Sequence, residues 1–223
     1  MEVVNFKFDV MEGRYQVSAS STVPAKPHTY LVLGHGAGAG MEHSFMKQLS
    51  ENLAAQGVGS LRYNFPYIEQ GRRTPTSPAI SEATVRAAVE KARSISPVDK
   101  LIVGGKSYGG RMSSQTQSKE PLPGVSGLVF FGFPLHAPGK PGNSRGEHLK
   151  NINIPMLFLQ GSRDKLADLN LLRPLLETVG NNATLKVIEG ADHSFKMLKS
   201  AAKTSDQVQK ELAILTREWL EGN

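Results

Sequence analysis

Between Tyr30 and Trp219 the chain alternates short apolar runs with segments whose apolar residues recur at helical spacing, and no other feature narrows the fold so far. Tyr30-Leu31-Val32-Leu33 is apolar throughout and stops at Gly34, as a strand buried on both faces does. A helix is expected from about Glu42 to Gln56, with Phe45, Met46, Leu49 and Leu53 on one face and Gly57 at the C-terminal cap. Val58–Tyr63 reads as the next strand, and Val85, Ala88, Val89 and Ala92 mark the buried face of the next helix. Lys100–Gly104 is a strand that runs directly into a helix from about Tyr108. Ser126–Phe133, Met156–Leu159 and Leu185–Ile188 are further strands, with a helical segment between the last two. The final helix opens on a Thr204-x-x-Gln207 capping box and buries Val208, Leu212, Leu215 and Trp219. Ahead of all this, Val3–Phe8 and Arg14–Ser20 read as an antiparallel pair turning near Glu12-Gly13. Parallel neighbours need a crossover, usually a helix. Repeated β-α units therefore imply an α/β fold, a mostly parallel sheet of about eight strands with helices on both faces.

No repeat, low-complexity tract or Pro/Ser/Gly linker divides the 223 residues, so one domain over 1–223 is expected. A globule of this size buries enough surface to stand without staples. It has to, because there is no cysteine, which also excludes a thiolate nucleophile and a Cys-ligated metal. Lys plus Arg number 26 against 20 Asp plus Glu, giving a formal charge of +6. These basic residues are scattered, with Arg72-Arg73 the only adjacent pair and no alternation with aromatics, so nucleic acid is not an expected partner. No apolar run approaches the ~20 residues that span a bilayer, so no membrane association is expected. Met1–Lys7 lacks a basic stretch followed by an apolar one, and the cytoplasm is the expected compartment.

In a sheet of this kind chemistry collects where strands end and helices begin. After the Lys100–Gly104 strand stands Gly105-Lys106-Ser107-Tyr108-Gly109, a G-x-S-x-G. Its glycines flank a sharp strand-to-helix turn where the backbone presses on its neighbours and leaves no room for a Cβ. Such a turn lifts Ser107 Oγ out of the sheet and points a helix N-terminus, beginning with the Tyr108 N–H, at a developing oxyanion. A serine needs a base, and the base an orienting acid, in the chain order Ser, then Asp or Glu, then His. Asp164 follows the Met156–Leu159 strand and His193 follows the Leu185–Ile188 strand, which meets that order. Asp168 is the second choice of acid but lies deeper in the following helical stretch; Asp192 is a poor one, being next to His193. His35-Gly36-Ala37-Gly38-Ala39-Gly40 forms a bare glycine turn, from which Ala37 N–H is the expected second oxyanion donor. The turn is no nucleotide site, because no Lys-Ser/Thr follows and G-x-G-x-x-G is not formed. No His/Asp/Glu set has metal-ligand spacing, so neither a metal nor another cofactor is expected.

Six strings together carry a family resemblance. They are His35-Gly36-Ala37-Gly38, Arg62-Tyr63-Asn64-Phe65-Pro66-Tyr67, Gly104–Arg111, Gly132-Phe133-Pro134-Leu135-His136, Gln160-Gly161-Ser162-Arg163-Asp164 and Gly190–Phe195. On these residues the chain resembles an α/β-hydrolase over nearly its full length, in a compact form with no cap domain. More narrowly it is similar to the small dienelactone-hydrolase-like proteins, whose relatives include a hydrolase-like subunit of a histone acetyltransferase complex. The resemblance implies Ser107, Asp164 and His193 as nucleophile, acid and base, and Gly36, Phe65 and His136 beside the substrate. It departs at the nucleophile, which is cysteine in dienelactone hydrolases and Ser107 here, so their substrate does not carry over.

The expected activity is that of a serine hydrolase on a small carboxylic ester, thioester or related acyl compound; the alternative is a hydrolase-shaped module that binds a protein. Two long connections, Asn64–Ile80 and Pro134–Asn153, exceed usual lengths, and the second is expected to bind or gate the substrate. Arg72, Arg73, Lys140 and Arg145 lie in them and would suit an anionic substrate. His35 is expected to tie the glycine turn together.

Overall fold

β1 (Glu2–Val10) and β2 (Tyr15–Val23) form an antiparallel hairpin whose turn spans Met11–Arg14. The computed structural model describes residues 1–96 and 98–223. β2 continues antiparallel against β4 (Val58–Tyr63), and every later pairing is parallel. With β3 (Thr29–Gly34), β5 (Lys100–Lys106), β6 (Val125–Phe131), β7 (Met156–Gly161) and β8 (Ala183–Ile188), the sheet runs β1-β2-β4-β3-β5-β6-β7-β8.

Strand alternation sorts the core into two layers. Leu31 and Leu33 of β3 join Ile102 and Leu157 on one face, covered by α1 (Ser44–Ala55) and α6 (Ser205–Gly222). Tyr30 and Val32 point the other way with Val103 and Phe158, covered by α3 (Pro78–Ile95), α4 (Tyr108–Lys119) and α5 (Leu169–Val179). Both halves of the Thr204–Gln207 capping box form at the start of α6. Among the described residues no helix is long and apolar enough to cross a membrane.

The two long connections are less open than their composition suggests. Asn64–Ile80 contains the short helix α2 (Pro66–Glu69), and α3 already begins at Pro78. Both helices start at a proline, whose fixed φ and missing N–H suit the first helical position, so these prolines open helices and do not extend a loop. Pro134–Asn153 carries a 3-10 helix, Ser144–Asn151. It is pinned against α4 by the buried Leu149 and by a 2.8 Å hydrogen bond between Ser114 Oγ and His148 Nε2.

Candidate active site

Ser107 stands at the sharp turn from β5 into α4 with φ 49° and ψ −110°, a conformation that a side-chain-bearing residue adopts only under strain of about 1–3 kcal/mol. The turn is tight because Gly34 of β3 sits directly against it. A Cβ at Gly105 or at Gly109 would overlap the Gly34 carbonyl oxygen. The Ser107 N–H donates to the Phe131 carbonyl of β6 (3.2 Å), which fixes the serine at the C-terminal edge of the sheet.

Two further strand ends deliver the other groups. His193 Nε2 lies 2.8 Å from Ser107 Oγ, and its Nδ1 lies 2.7 Å from Asp164 Oδ2. An ionised carboxylate can only accept, so Nδ1 carries the proton and Nε2 is left to accept from the serine hydroxyl. The Asp164 side chain is wholly buried. Its Oδ1 accepts the Leu166 N–H (2.7 Å) and its Oδ2 also accepts from Gln160 Nε2 (2.5 Å). Gln160, also buried, is fixed in turn by accepting the Phe133 N–H at 2.9 Å. This supporting role of Gln160 was not read from the sequence, although a glutamine closing an otherwise apolar strand was its signal. Burial lowers the His193 pKa below the ordinary imidazole value, against the pull of its Asp164 hydrogen bond and with help from the Lys106 charge. The lowered value favours the neutral imidazole.

The His193 loop is built by local contacts. Asp192 Oδ1 accepts the N–H groups of Ser194 (2.8 Å) and Lys196 (2.9 Å), which spends this carboxylate on the turn. Asp168 is the N-cap of α5, its Oδ1 accepting the Asn170 N–H at 2.8 Å. Neither aspartate reaches the imidazole in the way Asp164 does.

A cavity of about 500 Å³ opens over Ser107 and His193. That volume is within the range of small-molecule sites. Gly36 and Ala37 line it from the glycine turn, Phe45 and Met46 from α1, and Phe195 from the His193 loop. The N–H groups of Ala37 and Tyr108 meet no hydrogen-bond acceptor among the described residues. The Tyr108 side chain points away, its hydroxyl 2.8 Å from Ser81 Oγ.

Several expected site residues lie elsewhere. Phe65 does not line the cavity; it is wholly buried, packed edge-on against His35, Tyr63 and Tyr108. His136 does not line it either. Its ring accepts the Asp168 N–H at Nε2 (3.1 Å) and donates from Nδ1 to the Ala137 carbonyl (3.0 Å), bracing the segment that follows Asp164. No residue of 134–153 lines the cavity, so the gating expected of that connection is not seen, and Arg72, Arg73, Lys140 and Arg145 are absent from it too. The cavity opens on the α1 and α6 face, whereas the 3-10 helix packs on the α4 face. His35 does tie the glycine turn, donating from Nδ1 to Gly36 O (2.7 Å) and accepting the Phe65 N–H at Nε2 (3.1 Å). Among the described residues no three His, Asp or Glu side chains are grouped to hold a metal ion.

Known structures share this architecture. A serine hydrolase without a lid from Xanthomonas campestris superposes with a TM-score of 0.76 at 19% identity, covering 98% of this chain and 95% of its own. A dienelactone hydrolase from Anabaena variabilis gives 0.74 at 18% identity, covering 100% of this chain and 99% of its own. An esterase from Pyrococcus furiosus gives 0.75 at 15% identity, covering 99% and 91%. At these identities the likeness is one of fold, the compact α/β-hydrolase architecture without a cap domain. The sequence profile of the alpha/beta hydrolase domain matches residues 27–221, nearly the whole chain, and the protein therefore belongs to the alpha/beta hydrolase family.

Proposed function

We propose that the chain is a serine hydrolase that cleaves a small carboxylic ester, thioester or related acyl compound through an acyl-enzyme. The observation that carries the reading is the unbroken chain of hydrogen bonds from Ser107 Oγ through His193 to Asp164, at 2.8 and 2.7 Å, at the floor of a cavity. Ser107 Oγ attacks the substrate carbonyl carbon as its proton passes to His193 Nε2. Asp164 holds the imidazole in the required tautomer and stabilises the imidazolium. The tetrahedral oxyanion is received by the Tyr108 and Ala37 N–H groups, and the Tyr108 N–H adds the positive end of α4. His193 then gives its proton to the departing alcohol or thiol, and a water activated by the same imidazole releases the acid. The walls offered by Phe45, Met46 and Phe195 suit an apolar group beside the carbonyl.

The test is covalent labelling with a fluorophosphonate probe, read by intact mass. Wild type is expected to gain one adduct and Ser107→Ala none. Labelling that persists in Ser107→Ala, or is absent from folded wild type, overturns the proposal. Absence of labelling together with inertness towards esters and thioesters would favour a hydrolase-shaped binding module.

A further inference from the structure

Lys106 stands between Gly105 and Ser107 at the end of β5 and is 9% exposed. Its Nζ donates to the backbone carbonyl of His193 at 2.6 Å. It also lies 5.5 and 5.9 Å from the ring centroids of Phe195 and Phe45, which stack on each other. A buried ammonium is costly unless its charge and protons are used. A methionine would fill the same space between β5 and those rings without that cost. The lysine instead spends its charge on the one residue that must stay neutral until the serine gives up its proton.

We propose that Lys106 is a positioning residue that fastens the His193 loop to the nucleophile strand and holds a buried positive charge beside the imidazole. This rests on the hydrolase reading for its purpose, though not for its measurement. The charged groups facing His193 are Asp164 from the segment after β7, Asp192 in its own loop and Lys106 from β5. Lys196, Asp206 and His43 line the same cavity. Asp164 and Asp192 favour the imidazolium, and Lys106 opposes it. Burial pushes the Lys106 ammonium down to about 8, against the same two aspartates. At neutral pH the lysine is charged and its bias is present; the bias fades as the ammonium loses its proton in mildly alkaline solution.

NMR titration of the His193 ring tests this in wild type, Lys106→Met and Lys106→Arg, and it reads the imidazole whether or not any ester is turned over. The His193 midpoint is expected to rise in Lys106→Met, where the opposing charge is gone, and to return towards wild type in Lys106→Arg. An unmoved midpoint in folded Lys106→Met overturns the proposal. Should that variant fail to fold, wild type decides alone: the His193 ring resonances must show a second inflection at the midpoint of the Lys106 ammonium, recorded on lysine labelled at Cε. A single inflection overturns the proposal. Failure of the hydrolase reading would look different, as missing fluorophosphonate labelling with the coupled titration intact.

Discussion

Acid should unfold this protein in part through one histidine that does no chemistry. His35 is wholly buried, 5.0 Å from the Phe65 ring centroid and 5.9 Å from that of Tyr67, and both ring nitrogens are engaged with backbone. Its Nε2 accepts the Phe65 N–H, so a second proton there would break a hydrogen bond and bury a charge. Burial accordingly lowers its pKa from 6.5 to about 4. Between those values the unfolded chain binds a proton that the folded chain refuses, so stability falls as pH drops from 6.5 towards 4 and is flat on either side. The gap corresponds to about 3 kcal/mol in all, of which about 2 kcal/mol is already lost on going from pH 7 to pH 4.5. That is a large share of the ~5–15 kcal/mol that holds a typical domain together. The perturbation is His35→Asn, whose amide can still donate to the Gly36 carbonyl but leaves the Phe65 N–H unpaired, at a cost of about 2 kcal/mol at pH 7. Urea unfolding of both chains at pH 7 and 4.5 is the assay. His148, also held down to about 4 by burial, titrates in both proteins and cancels in the comparison. The variant is expected to start less stable and to lose less, so that the two curves converge in acid. Parallel losses would refute the reasoning.

Three other outcomes follow from the site. Gly109→Ala puts a Cβ into the Gly34 carbonyl, where only backbone can yield, and should cost about 3 kcal/mol with the loss of probe labelling; an unchanged melting temperature would contradict it. Asp164→Asn should leave a folded protein whose turnover falls by about 10⁴, as the imidazole loses its tautomer; a drop under about tenfold in esterase assays would remove Asp164 from the mechanism. Because the His193 pKa is lowered, the acid limb of kcat/KM should lie below the ordinary imidazole value, with activity lost as pH falls through it; a limb centred above about pH 7 would contradict the burial argument.

The centre of the sheet was readable because its strands are buried on both faces, which leaves runs such as Leu157-Phe158-Leu159 with no other plausible fate. That Ser107, Asp164 and His193 meet could be expected as well, since a parallel sheet brings the ends of its strands to one edge however far apart they lie in the chain. What local pattern could not say was which side of that edge stays open. Phe65 follows β4 and His136 follows β6, positions as promising as the others, yet Phe65 packs into the layer of α3, α4 and α5 and His136 turns to the N-cap of α5. The open side is set by where α1 and α6 settle, a matter of long-range packing. The burial of Lys106 is hidden in the sequence for a different reason. In a G-x-S-x-G string its position is nominally free, and a lysine there reads as solvated until the strand is known to be covered.

The three strand ends that carry Ser107, Asp164 and His193 are clamped by neighbouring backbone and by Gln160 and Lys106. The opposite wall, with Phe45 and Met46 near the start of α1 and Gln209 in α6, belongs to other stretches of chain. Much of the wall is thus written in other passages of the sequence than the Ser107–His193–Asp164 chain, with Phe195 of the His193 loop common to both. A library confined to residues 44–48 and 205–209 can redraw the cavity while leaving in place the side chains that hydrogen-bond Ser107 to His193 and His193 to Asp164.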